Sequence, residues 1–543
     1  MKMIAFTIVY DRAVTDDPTF ARAVALHQRG DIRSAQELYR QILRLQPRHA
    51  GALHLLGSIH LQRGELTDAL AACEAALAIN PANAAVLQTQ GDVLHDLSRY
   101  AEAIAVYDRC LTLDPARFVA WSNRGSALLR CRRLEDAVAS YDRAFALLEN
   151  GIGRLPPRWL AIPYLNRGAA LQELGRFEAA LESFDAAIGA DPGMAAAHAN
   201  RGCSLDCLGR SQEALSSCER AIELAPDYAA AHLNLAMALL RLGRFPDGWA
   251  EYEWRWKIAE STLRSDRRHA AVPLWLGREP LAGRTILLYS EQGYGDTLQF
   301  CRYARCVREQ GAEVILEVHP ALKRLLRGLE GASRVISRDD PTPHVELQCP
   351  LLSLPLALGT TLETIPASQR YLHADPELIE RWRVRLGERR GFRVGLVWSG
   401  GFRANEPENW SATARRSIEP RSLGALEHPR IEYVSLQKGA PPQAAPGLRM
   451  IDQTRGLSDF AETAALIGNL DLVISVDTAA AHLAGALGKP TWILSRFDGC
   501  WRWLLNRDDS PWYPSVRLFR QPRPGSWDEV LRQVRDELSR LVA

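Results

Sequence analysis

Small and apolar positions return along the first half of this chain with a period of 34 residues. The clearest markers are Pro47, Pro81, Pro115, Pro192 and Pro226, spaced by 34, 34, 77 and 34 residues, the 77 being two periods plus nine. Aligned on these prolines, units begin near Asp16, Ala50, Ala84, Phe118, Ala161, Ala195 and Ala229. The eighth position of each unit is small: Ala23, Gly57, Gly91, Gly125, Gly168, Gly202 and Ala236. So is the twentieth, as Ala35, Ala69, Ala103, Ala137, Ala180, Ala214 and Gly248. Position 24 carries a packing residue, often aromatic, as in Tyr39, Tyr107, Tyr141, Phe184 and Tyr252. Each unit therefore reads as two helices that approach closely at their small residues. Glycines at the interhelix turn (Gly30, Gly64, Gly175, Gly209 and Gly243) suit a left-handed backbone. The stretch Asn150-Gly-Ile-Gly-Arg-Leu-Pro-Pro157 breaks the period and predicts a loop.

A helix–turn–helix period of this length ending in proline is that of tetratricopeptide (TPR) repeats. Residues 16–262 resemble that family, which implies an all-α superhelix with a concave groove of the kind that holds extended peptide. Position six of the fourth to seventh units is Asn123, Asn166, Asn200 and Asn234, with Leu55 and Thr89 at the same position of the second and third units. An amide side chain both donates and accepts, so such a column can hold the backbone of an acceptor peptide, or can tie one unit to the next. It resembles the asparagine ladder in the TPR array of eukaryotic O-linked GlcNAc transferase. The seventh unit degenerates into an aromatic run, Phe245 to Trp256. Solenoid ends need caps, so this run is expected to dock on the next domain; a stacking platform for substrate is the other reading.

From about Leu281 the pattern changes to short apolar runs separated by helical stretches. Strands are predicted at Thr285–Tyr289, Glu313–Val318, Arg334–Ser337, Phe392–Trp398, Ile431–Leu436, Leu472–Ser475 and Thr491–Leu494, with a helix over Gln299–Gln310. Such alternation implies parallel sheets with ligand sites at the carboxyl ends of the strands. Two blocks, 281–375 and 390–543, are read as two Rossmann-like α/β lobes facing a cleft.

Four motifs sit at strand ends. Ser290-Glu-Gln-Gly293-Tyr-Gly295-Asp296 is a tight turn into a helix, with Asp296 at the cleft wall. Trp398-Ser399-Gly400-Gly401 is a second turn of small residues, and Ser435-Leu-Gln437-Lys438-Gly439 brings a cation to a strand end. In Ser475-Val-Asp477-Thr478-Ala-Ala-Ala-His482 the strand stops at Ser475, Thr478 is placed to cap a helix, and the helix amides can face a diphosphate. These motifs resemble family 9 glycosyltransferases, the heptosyltransferase group of GT-B enzymes, over residues 283–520. The fused layout is similar to bacterial TPR-glycosyltransferases, including those that modify flagellin. The resemblance implies Asp296 as general base, and Lys438, Thr478 and neighbouring amides on the donor diphosphate. It assigns Gly293, Gly295, Trp398, Ser399, Gly400 and Ser475 to the donor side, and Asp477 and His482 to sugar orientation or loop support. The acceptor-side features of lipopolysaccharide heptosyltransferases are not evident. Each assignment has a plainer counterpart: Asp296 capping its helix, Lys438 solvated, His482 packed in a core. His319 and His344 are alternative bases without a distinctive context. Arg415 and Arg416 read as part of a polar loop, Phe402 to Ser417, either solvated or placed to close over the cleft, and Trp501, Trp503, Trp512 and Tyr513 as packing between lobes rather than sugar platforms.

Composition bounds this picture. A net charge of +2 gives no reason to expect a nucleic-acid partner. No apolar run approaches the ~20 residues of a membrane span, and the start of the chain lacks a signal-peptide cleavage pattern. Ten scattered cysteines read as reduced core thiols of a cytoplasmic protein, and Cys203 with Cys207 lacks the second pair of a zinc site. No Asp-x-Asp metal motif occurs, and no cofactor is implied; the nucleotide sugar enters as a co-substrate. The reading is an inverting, metal-independent glycosyltransferase acting on Ser or Thr of a protein acceptor. The alternatives are a non-catalytic TPR scaffold, or transfer onto a saccharide or lipid.

Overall fold

In the computed structural model, residues 17–152, 155–258, 268–367, 369–401, 410–438 and 448–543 are described. The first unit start, near Asp16, and parts of two predicted loops (Gly153 with Arg154, and Phe402–Asn409) lie outside them, as does Gly439. The chain divides into two compact units, one ending at Ala197 and one beginning at His198.

Fourteen helices pair as the period predicts. They are α1 (Pro18–Gln28) with α2 (Ile32–Leu45), α3 (Ala50–Gln62) with α4 (Leu66–Ile79), α5 (Ala84–Asp96) with α6 (Tyr100–Leu113), and α7 (Phe118–Arg130) with α8 (Leu134–Glu149). After the interruption come α9 (Ala161–Glu173) with α10 (Phe177–Ala190), α11 (Ala195–Cys207) with α12 (Ser211–Leu224), and α13 (Ala229–Arg241) with α14 (Phe245–Tyr252). The small eighth position exists because position 24 of the same unit fills its space. A Cβ on Gly91, Gly125, Gly168 or Gly202 would lie 2.4, 2.9, 2.5 or 2.5 Å from the side chain of Tyr107, Tyr141, Phe184 or Cys218. The turn glycines adopt positive φ, from 74° at Gly64 and Gly175 to 84° at Gly30. In the third and fourth units that conformation falls on Ser98 and Arg132, at φ 60° and 61°.

A second device joins successive units. Arg124 Nε donates to Asp108 of the preceding unit at 2.6 Å, while its Nη1 donates to Ser140 Oγ of its own unit at 2.5 Å. Arg167 repeats this with Asp142 and Ser183, both at 2.7 Å. Arg201 reaches Ser217 at 2.6 Å. The tripeptide Asn-Arg-Gly at 123–125, 166–168 and 200–202 thus holds a column amide, a clamp and a close-packing point side by side.

In the second unit the α/β region contains two parallel sheets. The first has four strands in the order β3-β2-β1-β4: β1 (Thr285–Tyr289), β2 (Glu313–Val318), β3 (Arg334–Ser337) and β4 (Leu347–Pro350). The second has six in the order β10-β9-β8-β5-β6-β7: β5 (Phe392–Val397), β6 (Ile431–Ser435), β7 (Met450–Ile451), β8 (Leu472–Val476), β9 (Thr491–Ser495) and β10 (Val516–Arg520). Ile286 pairs with Val314 and Leu347 across β1, and Val394 with Tyr433 and Leu472 across β5. Of the central strands, β1 is buried from Ile286 to Tyr289 and β8 along its whole length, as parallel strands covered on both faces must be.

Further helices are α15 (Tyr294–Phe300), α16 (Tyr303–Glu309), α17 (Pro320–Leu326), α18 (Leu354–Ala357), α19 (Pro376–Leu386), α20 (Trp410–Arg416), α21 (Phe460–Gly468), α22 (Ala479–Ala486) and α23 (Trp527–Leu541). The helix expected over Gln299–Gln310 begins earlier, at Tyr294, and breaks at Cys301 and Arg302. Strands β4, β7 and β10 were not predicted. Strand β4 is a four-residue run ending in proline, β7 has two residues, and β10, at the sheet edge, mixes apolar residues with Arg517 and Arg520 and has no clean period.

The aromatic end of the seventh unit docks on the α/β region. Trp249 donates its indole N–H to the Thr360 carbonyl at 3.1 Å and lies edge-on to Phe300 and Trp501. Phe245 stacks on Trp512 at 5.9 Å. Leu240, Phe245, Trp249 and Tyr252 share one buried cluster with Ile286 and Leu288 of β1 and Val473 of β8.

Candidate active site

Both sheets contain a topological switch point. From β1 the chain runs outward through β2 and β3, then returns to place β4 on the other side of β1. From β5 it runs through β6 and β7, then returns to place β8 on the other side of β5. Such points open a crevice at the strand carboxyl ends, where α/β sheets bind ligands. Three of the four motifs fall there: Ser290–Asp296 follows β1, Trp398–Gly401 follows β5, and Asp477–His482 follows β8.

In the second sheet, the β5 loop is fixed by Gln437 beyond β6, whose Oε1 accepts the N–H groups of Trp398 and Ser399 at 3.2 and 2.9 Å. The hydroxyls of Ser399 and Ser417 share a hydrogen bond of 2.9 Å. Gly400 makes room for the Arg416 guanidinium, since a Cβ there would lie 2.3 Å from Arg416 Nε. Arg416 spans the crevice, donating to the Asp477 carbonyl and to Thr413 Oγ1, both at 3.3 Å. Arg415 and Arg496 converge on the buried Asp498 at 3.1 and 3.4 Å. Thr478 occupies the N-cap position of α22 in extended conformation, but its hydroxyl bonds to Ser475 Oγ at 2.9 Å rather than to the helix. The expected side-chain cap is therefore replaced by a loop contact. The amides of Ala479 and Ala480 open the helix with no acceptor inside it. Lys438 is exposed, and its Nζ donates to the Leu457 carbonyl at 2.8 Å.

The β1 loop meets this crevice directly. Asp296 Oδ2 accepts the Gly293 N–H at 2.9 Å, and its Oδ1 is ion-paired with Arg502. Asp296 thus caps its own helix with one oxygen and meets Arg502, beyond β9, with the other. Arg502 is buried, donates from Nε to Gln299 Oε1 at 2.7 Å and from Nη1 to Cys500 Sγ at 3.1 Å, and lies 4.3 Å over Trp501. Gly293 has φ −69°, open to any residue, and Gly295 is absent from the positive-φ glycines, so neither is present for a left-handed turn. Gly295 is small because α15 crosses α22: a Cβ there would lie 2.9 Å from His482 Cδ2. His482 is buried, with Nδ1 2.9 Å from the Tyr513 hydroxyl and Nε2 3.7 Å from the Asp477 carboxylate. Burial drives its pKa down to about 4 against the opposing pull of Asp477, so the ring is neutral at pH 7. His319 lies 3.3 Å from the Tyr294 hydroxyl, and burial lowers its pKa. Trp501, Trp503, Trp512 and Tyr513 are all buried, in the packing role expected of them.

The asparagine column makes contacts between units. Asn123 donates to Asp92 Oδ1 at 2.7 Å, and the Tyr107 hydroxyl donates to the same oxygen at 2.7 Å. Burial pushes Asp92 up to about 6. Asn166 neighbours the Tyr141 hydroxyl, Asn200 is half-buried on α11, and Asn234 donates to the Ala199 carbonyl at 3.0 Å.

Sequence reasoning did not single out Arg502 or Gln437 as site residues, and it placed Arg415 and Arg416 in a loop where the chain instead forms the last turn of α20. An arginine flanked by two tryptophans, Trp501-Arg502-Trp503, was the one available signal for the first.

Residues 20–84, 89–150 and 165–227 match a tetratricopeptide repeat family model, and 208–248 match a second one. Residues 443–494 match the glycosyltransferase family 9 (heptosyltransferase) model, a segment that contains β8, α22 and the Ser475–His482 motif. Protein FlbA of Caulobacter vibrioides is 28% identical over 330 residues, covering 55% of this chain and 53% of FlbA. The chain spans about half the length of this curated relative. Among solved structures, YrrB, described as a TPR protein with an unusual peptide-binding site, is 23% identical over 36% of this chain and 95% of its own, with a TM-score of 0.31. PilF of Pseudomonas aeruginosa is 21% identical over 40% of this chain and 94% of its own, with a TM-score of 0.35.

The chain is a TPR array followed by an α/β region with two parallel sheets. The tetratricopeptide matches fall on the helical array and the glycosyltransferase family 9 match on the second sheet. No helix among the described residues is long and apolar enough to cross a membrane.

Proposed function

We propose that this protein is an inverting glycosyltransferase that moves a sugar from a nucleotide-sugar donor to a Ser or Thr hydroxyl of a protein recruited by the TPR array, with flagellin as a candidate acceptor. The observation that carries the reading is the convergence of the Gly293–Asp296 loop and the Asp477–His482 loop, each at a switch point, where α15 crosses α22. The opening amides of α22, with Arg416 across the crevice and Lys438 beyond β6, supply positive charge for the leaving diphosphate. Asp296 takes the proton of the acceptor hydroxyl as that oxygen attacks the anomeric carbon, and single displacement inverts the centre. Arg502 holds the carboxylate until the acceptor arrives and must then yield Oδ1. Neutral His482, braced by Tyr513, supports the Asp477 loop against the sugar. The charge is met by side chains and amides, so the reaction runs without a metal, and the protein acts in the cytoplasm.

One observation favours the second reading, a non-catalytic scaffold: both oxygens of Asp296 and the amine of Lys438 are already engaged. Nucleotide release from a panel of nucleotide sugars, with host lysate as acceptor, separates the two. The transferase reading expects release from one donor and a loss of at least about 100-fold in kcat for Asp296→Asn. Release from no donor supports the scaffold, and full activity in Asp296→Asn removes Asp296 as the base.

A further inference from the structure

The segment Glu253–Lys257, directly after α14, continues the last repeat as a short 3-10 helix into the α/β region. Its Arg255 side chain is 1% exposed. Arg255 Nη2 donates to Glu291 Oε1 at 2.9 Å and to Ser353 Oγ at 2.7 Å. Its Nη1 donates to Glu253 Oε1 at 2.5 Å and to the Tyr252 carbonyl at 3.2 Å. Ser353 closes the ring by donating to Glu253 at 2.7 Å. The guanidinium lies over the rings of Tyr252 and Trp256, 4.8 and 4.7 Å from their centroids. One residue beyond Glu291, Gln292 donates to the Tyr252 hydroxyl at 2.9 Å. Glu291 and Gln292 are the two residues before Gly293, whose amide Asp296 caps. The tail of the repeat array therefore grips the loop that carries Asp296 at two consecutive side chains.

We propose that Arg255 is a positioning residue for the transferase site: through Glu291 it sets the Ser290–Asp296 loop, and so makes the end of the repeat array a working part of the catalytic unit. This rests on the transferase reading above. A buried charge triad adds little net stability over apolar packing, because desolvation offsets its attraction. What it supplies is direction, and an arginine fork fixes two partners where a lysine fixes one.

The test uses the full chain with two variants. Glu253→Gln, Arg255→Met and Glu291→Gln combined removes the triad without leaving a lone buried charge. Arg255→Lys keeps the charge and loses the fork. Each is compared with wild type for melting temperature, amide hydrogen exchange at residues 290–297, kcat for nucleotide release from the active donor, and Kd of the nucleoside diphosphate that the donor releases. Positioning predicts a folded triple variant with exchange in this loop at least tenfold faster, unchanged exchange in β1 and β2, kcat at least tenfold lower, and Kd within threefold. Arg255→Lys falls between the triple variant and wild type. Unchanged loop exchange, or a kcat within twofold of wild type, overturns the proposal. If wild type releases nucleotide from no donor, the transferase reading fails, and the loop exchange alone decides whether Arg255 sets the loop. If the triple variant does not fold, Arg255→Lys decides by the same criteria.

Discussion

Asp296 gives one carboxylate oxygen to its own helix and the other to Arg502, a residue 206 positions away in sequence. Nothing in the local pattern around Gly293-Tyr-Gly295-Asp296 announces that partner, because an ion pair across a fold is set by tertiary approach. Replacing Arg502 by Met strips Asp296, Gln299 and Cys500 of a donor at once. The expected cost is about 3 kcal/mol of stability and at least tenfold in kcat, read by thermal unfolding and nucleotide release. His482 was legible as a residue of interest, while its environment was not. Its folded pKa, depressed to about 4, means that the native state binds fewer protons than the unfolded state below the ordinary histidine value of 6.5. Its contribution is present above pH 6.5 and is lost as pH falls toward 4. At pH 5 the loss is about 2 kcal/mol relative to pH 7.5. His482→Gln, neutral at every pH, should show a correspondingly smaller drop in melting temperature between those two conditions. An equal drop in both proteins contradicts a buried neutral ring.

Helices were the most legible elements, because their period writes the same geometry seven times. The columns of small and aromatic residues identified in sequence meet each other in space, glycine under ring, in three successive units from the third to the fifth. Gly91→Ala or Gly168→Ala would force a methyl to about 2.5 Å from an aromatic carbon and should cost about 1–3 kcal/mol. Gly189→Ala, in α10 with nothing near its added Cβ, should instead gain about 0.5–1 kcal/mol. Ser98 carries a left-handed backbone where five other units use glycine, so Ser98→Gly should stabilise the array by about 1 kcal/mol. Denaturant unfolding of the four variants checks both signs. The strands were legible where apolar runs dominate, at β1, β2, β5, β6, β8 and β9, and also at the short β3. Short strands β4 and β7 escaped because pairing with a neighbour, rather than their own pattern, makes them strands. The asparagine column was legible as a column, but not its use. In Asn123 and Asn234 the amide N–H groups already bond to the preceding unit, so any peptide held there meets the remaining face of each side chain.

At the scale of the molecule, the sequence placed a border near residue 262, where the 34-residue ruler ends. Packing draws a different one, at residue 197, because Phe245, Trp249 and Tyr252 complete a core shared with β1 and β8. A fragment beginning at Leu281 should aggregate, since it exposes the surface those aromatics cover, whereas a fragment beginning at His198 should be monodisperse with a cooperative melt. Size-exclusion chromatography and calorimetry on the two fragments check this. Any trial of whether the array selects the acceptor must therefore cut within the early repeats and leave the seventh unit intact. The central claim, that a sugar is moved onto a protein, is tested most directly by intact-mass analysis of cellular proteins from a strain lacking this gene. That strain is compared after complementation with wild type or with Asp296→Asn. The account predicts at least one protein that gains a sugar-residue mass increment with wild type and loses it with the deletion and with Asp296→Asn. Identical protein masses in all three strains would contradict it.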